Sequence, residues 1–226
     1  MAIRMVINRS AGIIFAALFV FSCNLRSKNE KTTKLQTETG IAADSSYLFN
    51  GVSLDGWEII NFGPQGPVYV SGGNIILGMG DGLTGIKWKG KFPEINYKVS
   101  LEAKRVSGND FFCGMTFPVS KSPCTLIVGG WGGTVVGLSS INNMDASENE
   151  TTTLMNFDNE RWYKICLFVT IDSVKATIDD AEVINFKIDS KSISVRSEME
   201  LSKPFGITSW TTTAALRNIK VDLMMW

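Results

Sequence analysis

Between Asn96 and Arg105 the chain alternates strictly, with Tyr97, Val99, Leu101 and Ala103 on one side and Lys98, Ser100, Glu102 and Lys104 on the other. A period of two is the signature of a strand with one face buried and the other wet. Further short apolar runs follow at Phe111–Phe117, Thr125–Gly129, Val135–Leu138, Trp162–Ile171, Val174–Ile178, Glu182–Phe186, Phe205–Trp210 and Leu216–Leu223. Tight connections such as Asp172-Ser173 and Asp179-Asp180 separate some of them, and the chain carries 21 glycines. Asn, Asp, Ser and Gly favour turns, so many short strands joined by such turns predict an all-β sandwich. No long helical pattern is visible after the N-terminal apolar run.

Composition excludes several chemistries. There is no histidine, so a Ser-His-Asp triad, a Cys-His dyad and a His-based zinc site are all ruled out. An enzyme built on this chain must work with Asp, Glu, Lys, Tyr or a carboxylate-bound divalent metal. Lys plus Arg (22) balance Asp plus Glu (22), which gives no electrostatic case for nucleic acid. No phosphate-cradling glycine loop with Lys-Ser or Lys-Thr is present, so nucleotide binding has no anchor and no organic cofactor is implied.

The N-terminus reads as an export signal. Arg4 and Arg9 precede an apolar run from Ala11 to Phe21, too short to span a bilayer, which takes about 20 apolar residues. A basic segment followed by a short apolar one is the pattern of a secretory signal. It ends in Val20-Phe21-Ser22-Cys23, similar to a bacterial lipoprotein cleavage box despite Phe21. The expected organisation is a signal over residues 1–23, a lipidated Cys23, a polar tether over 24–46 and a folded domain over 47–226. That predicts a lipid-anchored protein of the bacterial cell envelope, bound to membrane through the lipid alone. An ordinary signal or an N-terminal anchor helix is the alternative.

Cys113 and Cys124 flank a turn region at Pro118–Pro123. Paired as a hairpin in an oxidising compartment, they would form a disulfide. Cys166, inside Ile165-Cys-Leu-Phe-Val169, reads as a small core residue.

The folded part opens with Leu48-Phe-Asn-Gly-Val-Ser-Leu-Asp-Gly-Trp57, where Asn50-Gly51 and Asp55-Gly56 are turn dipeptides between apolar anchors. This run closely resembles the entry signature of the 3-keto-disaccharide hydrolase family. Gly85–Arg105, Asn109–Val119, Gly129–Gly133, Asp145–Thr151 and Arg161–Tyr163 follow in the family's order, and Thr212–Leu223 resembles its closing strand. The middle, Cys113 to Thr153, departs from the commoner members and marks a distinct branch. The resemblance implies a concanavalin A-like jelly-roll sandwich of the lectin–glucanase type that cleaves 3-keto-glycosides or disaccharides. In such a sugar the ketone acidifies the C2 proton. A base removes that proton, the C1 bond breaks by elimination, and water adds back. The reaction needs a base near C2, a cation or donor near the ketone oxygen, and an acid near the leaving oxygen.

Glu102 is the candidate base, with Lys104 on the same strand face as the cation, unless the two only make a solvated cross-strand ion pair. Asp110, across the Ser107-Gly108-Asn109 turn, reaches the same rim or merely shapes the turn. Asp145, Glu148 and Glu150 lie in a loop rich in Ser and Asn. They offer a general acid or substrate contacts, oxygen ligands for Ca²⁺, or a solvated loop without the spaced D-x-D-x-D-G pattern. Trp88, Trp131 and Trp210 are candidate sugar platforms or core residues. Trp131 stands out because four glycines leave its ring the only side chain of its loop. Two other readings stay open: a carbohydrate-binding sandwich without turnover, and an adhesive lipoprotein domain, since sandwiches host all three.

Overall fold

The computed structural model describes residues 45–225. The expected signal, Cys23 and most of the expected tether lie outside the described residues. The first strand already begins at Ser45, inside the stretch expected as tether.

Among the described residues, fifteen strands form two antiparallel sheets. In chain order they are β1 (Ser45–Tyr47), β2 (Trp57–Ile59), β3 (Val68–Ser71), β4 (Asn74–Leu77), β5 (Leu83–Trp88), β6 (Tyr97–Gly108), β7 (Cys113–Val119) and β8 (Ser122–Gly130). They continue as β9 (Val135–Ser139), β10 (Thr153–Leu154), β11 (Tyr163–Val169), β12 (Ser173–Ile178), β13 (Ala181–Lys187), β14 (Gly206–Trp210) and β15 (Thr212–Leu223). The first sheet runs β13-β12-β11-β6-β15-β4-β3, with β1 on the edge of β15, and the second runs β10-β9-β8-β7-β14-β5-β2. A 3₁₀ segment, Ser197–Ser202, precedes β14.

The alternation along β6 does what a period of two dictates. Tyr97, Val99, Leu101 and Ala103 are buried between the sheets, while Lys98, Ser100, Glu102 and Lys104 face outward. From the other sheet Met115, Phe117, Leu126, Val128 and Ile207 meet them in one continuous core. Tyr97 carries a polar atom into that core, and it finds a partner. The Tyr97 hydroxyl donates to the Pro118 carbonyl at 2.6 Å, and burial, with the buried Cys124 beside it, pushes its pKa well above the usual value. The opening motif is a turn pinned to the core. Leu48, Phe49 and Trp57 are buried, the Trp57 indole N–H donates to the Leu48 carbonyl at 2.7 Å, and Asn50 caps the turn by accepting from the N–H groups of Val52 and Ser53.

The expected hairpin exists, but the expected disulfide does not. The β7–β8 register sets Cys113 opposite Val128 and Cys124 opposite Phe117. Along the hairpin the two cysteines are therefore offset by four residues, roughly 13 Å at the rise of a strand. A disulfide requires Cα atoms within about 7 Å. Cys113, Cys124 and Cys166 are all free and buried.

Candidate functional site

The outer face of the second sheet is floored with very small residues. Antiparallel register places Gly85, Thr208, Gly114, Ile127 and Gly137 side by side across five strands. A β-carbon at Gly85 would meet the Thr208 methyl at 2.5 Å, and one at Gly114 would meet the Thr208 hydroxyl at 2.7 Å and the Phe111 ring at 2.9 Å. At Gly137 it would meet the Ala146 carbonyl at 2.7 Å. The floor is bare because a second layer of chain lies on it. That layer is the loop after β9, ordered by Asn149, whose amide donates to the carbonyls of Leu138, Met144 and Asp145, together with the 3₁₀ segment.

Between these covers a cleft of about 260 Å³ stays open. Phe111, Ile127, Leu83 and Met199 form its apolar lining, Trp131 and Trp210 flank it, and Asp110, Arg196 and Glu198 supply its charge. Both tryptophans are partly exposed, Trp131 to 42% and Trp210 to 38%, although apolar rings of that size are usually buried. Trp210 stands opposite Leu83 in register.

The charged groups are fixed in place. Asp110 accepts from the N–H of Phe111 at 2.7 Å and from the N–H of Gly132 at 3.2 Å, and its own N–H donates to Thr212 Oγ1 at 3.1 Å. Arg196 donates through Nε to Glu198 at 2.6 Å and pairs through its terminal nitrogen with Asp145. Burial pushes the Glu198 carboxyl up, but its own backbone N–H, the Arg196 guanidinium and the Ser197 hydroxyl outweigh that and hold it below its ordinary value. The cleft thus presents two carboxylates, one guanidinium paired with Glu198, and two aromatic faces.

The sequence-derived candidates divide. Asp110, Trp131 and Trp210 come together in the cleft. Asp145 stands behind it and orients Arg196. Glu148 is exposed on a turn, and Glu150 pairs with Lys191. Among the described residues no three acidic or cysteine side chains gather as metal ligands would. Trp88 packs edge-on against Trp57 with centroids 5.3 Å apart and does not line the cleft, so it belongs with the packing.

Glu102 and Lys104 require a correction, because they occupy the outer face of the first sheet, across the sandwich from the cleft. Glu102 accepts from Arg217 at 2.8 and 2.6 Å and from Asn218 at 2.7 Å. Lys104 pairs with Glu160 and lies over the Trp162 ring. The same-face reading of the two was right; the shared rim with Asp110 was not. Arg196 and Glu198 are absent from the sequence-derived set. They belong to Val195-Arg-Ser-Glu-Met-Glu200, whose two Glu residues on either side of a buried Met199 are the only local signal.

Comparison with known proteins agrees with this architecture. The family model of the 3-keto-alpha-glucoside-1,2-lyase-like domain matches residues 44–222. No curated protein matches in sequence. Among solved structures, a protein from Parabacteroides distasonis ATCC 8503, provisionally assigned as a glycosyl hydrolase, superposes with a TM-score of 0.53 at 14% identity, covering 80% of this chain and 94% of its own. Crh5 transglycosylase in complex with NAG gives 0.56 at 16% identity, covering 82% and 86%. Laminarinase from Flavobacterium sp. UMI-01 gives 0.50 at 11% identity, covering 80% and 98%. At these identities the likeness shows the fold, a jelly-roll sandwich of the glucanase type.

Proposed function

Because the chain belongs to the 3-keto-alpha-glucoside-1,2-lyase-like family, we propose that it is a glycoside-processing enzyme acting on 3-keto-glycosides in the cleft between Trp131 and Trp210. The observation that carries this reading is the convergence of Asp110, Glu198 and Arg196 with two exposed indoles in one concavity. The indole faces stack on the C–H faces of a sugar ring, and the charged groups meet its polar edge. Glu198, ionised at neutral pH, takes the C2 proton. The electron pair of that C–H bond moves toward the C3 carbonyl, whose oxygen gains negative charge beside the Arg196 guanidinium. The enolate then reforms the ketone, a C1–C2 double bond forms, and the C1–oxygen bond breaks. The leaving oxygen takes the proton that Glu198 removed, which restores the carboxylate, and water adding across the double bond, hydroxyl to C1 and hydrogen to C2, gives the free keto-sugar. The N-terminal pattern of residues 1–23 extends the proposal to a lipid-anchored envelope protein.

A carbohydrate-binding role without turnover is the second reading. It is favoured by one observation, that both cleft carboxylates already hold partners, Glu198 through Arg196 and Asp110 through two backbone N–H groups. Incubation of the full chain with 3-keto-glucosides and with plain disaccharides, with and without chelator, separates the two. Release of aglycone from the keto-sugar alone supports the lyase-type reaction. Binding with no release supports the second reading, and neither binding nor release refutes both.

A further inference from the structure

Arg105 is the next core-facing residue of β6 after Ala103, and it is 6% exposed. Its guanidinium therefore ends inside the protein, beneath the Gly129-Gly-Trp-Gly-Gly133 loop. Among the described residues it has no direct carboxylate partner. It donates instead to backbone carbonyls, to Gly133 at 3.0 Å, Gly129 at 3.4 Å and Phe157 at 3.4 Å, and it lies over the Phe112 ring. Its Nε has no hydrogen-bond partner among the described residues. Burial draws its pKa down, while the negative charge of Asp110 offsets part of that effect.

Burying a cation this way is expensive, and an uncharged side chain of similar length would fill the same space without that cost. The contacts show what the cation does. A β-carbon at Gly129 would sit 2.7 Å from an Arg105 terminal nitrogen, and one at Gly133 would sit 3.3 Å from both. Gly129, Gly132 and Gly133 all have positive φ, and so does Trp131, at +49°. One terminal nitrogen of Arg105, Nη2, holds the carbonyls on both sides of Trp131 from below while Nη1 reaches Phe157, and Asp110 holds the Gly132 N–H from the cleft side.

We propose that Arg105 and Asp110 form a two-sided clamp on the glycine loop that sets the attitude of the Trp131 indole in the cleft, Arg105 being a positioning residue for ligand recognition. In its link to ligands this rests on the function proposed above; the clamp itself does not. Two consequences follow. Trp131, on a loop of four glycines, is held as firmly as a residue on a strand, the condition for a stacking platform to bind without first being ordered. The clamp also uses both ends of the planar guanidinium: Nη2 bridges the two loop carbonyls while Nη1 anchors on the Phe157 carbonyl, and lysine, with one compact ammonium, has no second nitrogen to supply that anchor.

The test uses the full chain. Acrylamide quenching is measured for the wild type, Arg105→Lys, Trp131→Phe and the double variant, so that the Trp131 contribution is obtained by difference in each background. Loss of the clamp should raise quenching of Trp131 about twofold or more while the other five tryptophans and the far-UV circular dichroism stay unchanged. Should Arg105→Lys fold poorly, Asp110→Asn removes the other half of the clamp at a partly exposed position and should give the same Trp131-specific change. Unaltered Trp131 quenching in the folded variants overturns the proposal. With a 3-keto-glucoside as probe, Arg105→Lys should raise KM more than it lowers kcat. Turnover absent from the wild type would refute the enzymatic reading and leave the quenching result standing.

Discussion

Arg196 and Glu198, two residues apart at the start of the 3₁₀ segment, are hydrogen-bonded at 2.6 Å on the wall of the cleft, with Asp145 on the far side of the guanidinium. The pair puts the most ionisable chemistry of the cleft on a segment outside the sheets, and it gives Glu198 a clear role to test. Glu198→Gln keeps the shape and removes the base, so kcat on a 3-keto-glucoside should fall by about 10²–10⁴-fold with a smaller change in KM. Glu102→Gln, on the opposite face of the sandwich, should leave both constants unchanged. Steady-state kinetics of the two variants side by side check this.

Glu102 should matter for stability instead. Its carboxylate takes three hydrogen bonds from Arg217 and Asn218, across strands distant in sequence but adjacent in register. The pair is partly solvated, so Glu102→Gln should cost about 0.5–1 kcal/mol, read as a shift in the urea midpoint.

Acid should weaken the fold through these carboxylates. Burial raises the Glu102 carboxyl, but Arg217 and Asn218 lower it further, leaving it below 4.5, and Glu198 is depressed likewise. Groups depressed in the folded state contribute stability above their unfolded pKa, and that contribution is lost as pH falls through the folded values. Tm should therefore hold steady from neutral pH down to about pH 5 and drop below about pH 4.5. The fall should be shallower in a Glu102→Gln, Glu198→Gln double variant. The acid limb of the kcat profile should likewise lie below the ordinary carboxylate range.

The two kinds of tryptophan should separate. Trp131→Ala should weaken sugar binding with little effect on Tm, because the ring is 42% exposed. Trp88→Ala removes a ring packed against Trp57 and covering Gly56 and Gly90. It should cost about 3 kcal/mol while leaving affinity intact. Isothermal titration and thermal melts on both variants decide.

Thiol counting checks the cysteine register. A chain starting after Cys23 should show three free thiols under denaturing, non-reducing conditions. In the native state Cys113 and Cys124 should be inert, because burial pushes both thiols up to about 12 and the thiolate is the reactive form.

The sequence showed most plainly what local periodicity controls. The strand at β6, the hairpin around Ser120 and the turn at Asn50-Gly51 were all legible, because alternation and turn chemistry act within a few residues. Register was not. Cys113 and Cys124 lie on the two strands of a real hairpin but in different rungs, and no local signal fixes which rung. Glu102 was legible as a carboxylate beside a cation on a strand face. Its partner Arg217 is 115 residues away, and which sheet face holds the cleft depends on the covering layer. Arg196 and Glu198 were missed because their segment has neither alternation nor helical period. Their placement comes from packing over the bare floor of Gly85, Gly114 and Gly137.

That bare floor has a consequence for how such a site can change. The sheet beneath the cleft contributes little more than backbone, one threonine and one isoleucine to the central row. The charge of the cleft and the Trp131 platform are therefore written in segments that lie outside the core, with Trp210 at the very end of β14. Exchanging side chains at Trp131, Arg196 or Glu198 re-cuts the mould for a different sugar without touching the sandwich that holds it. A β-carbon added to the floor at Gly114 would do the reverse, lifting Phe111 and shallowing the site for every ligand alike.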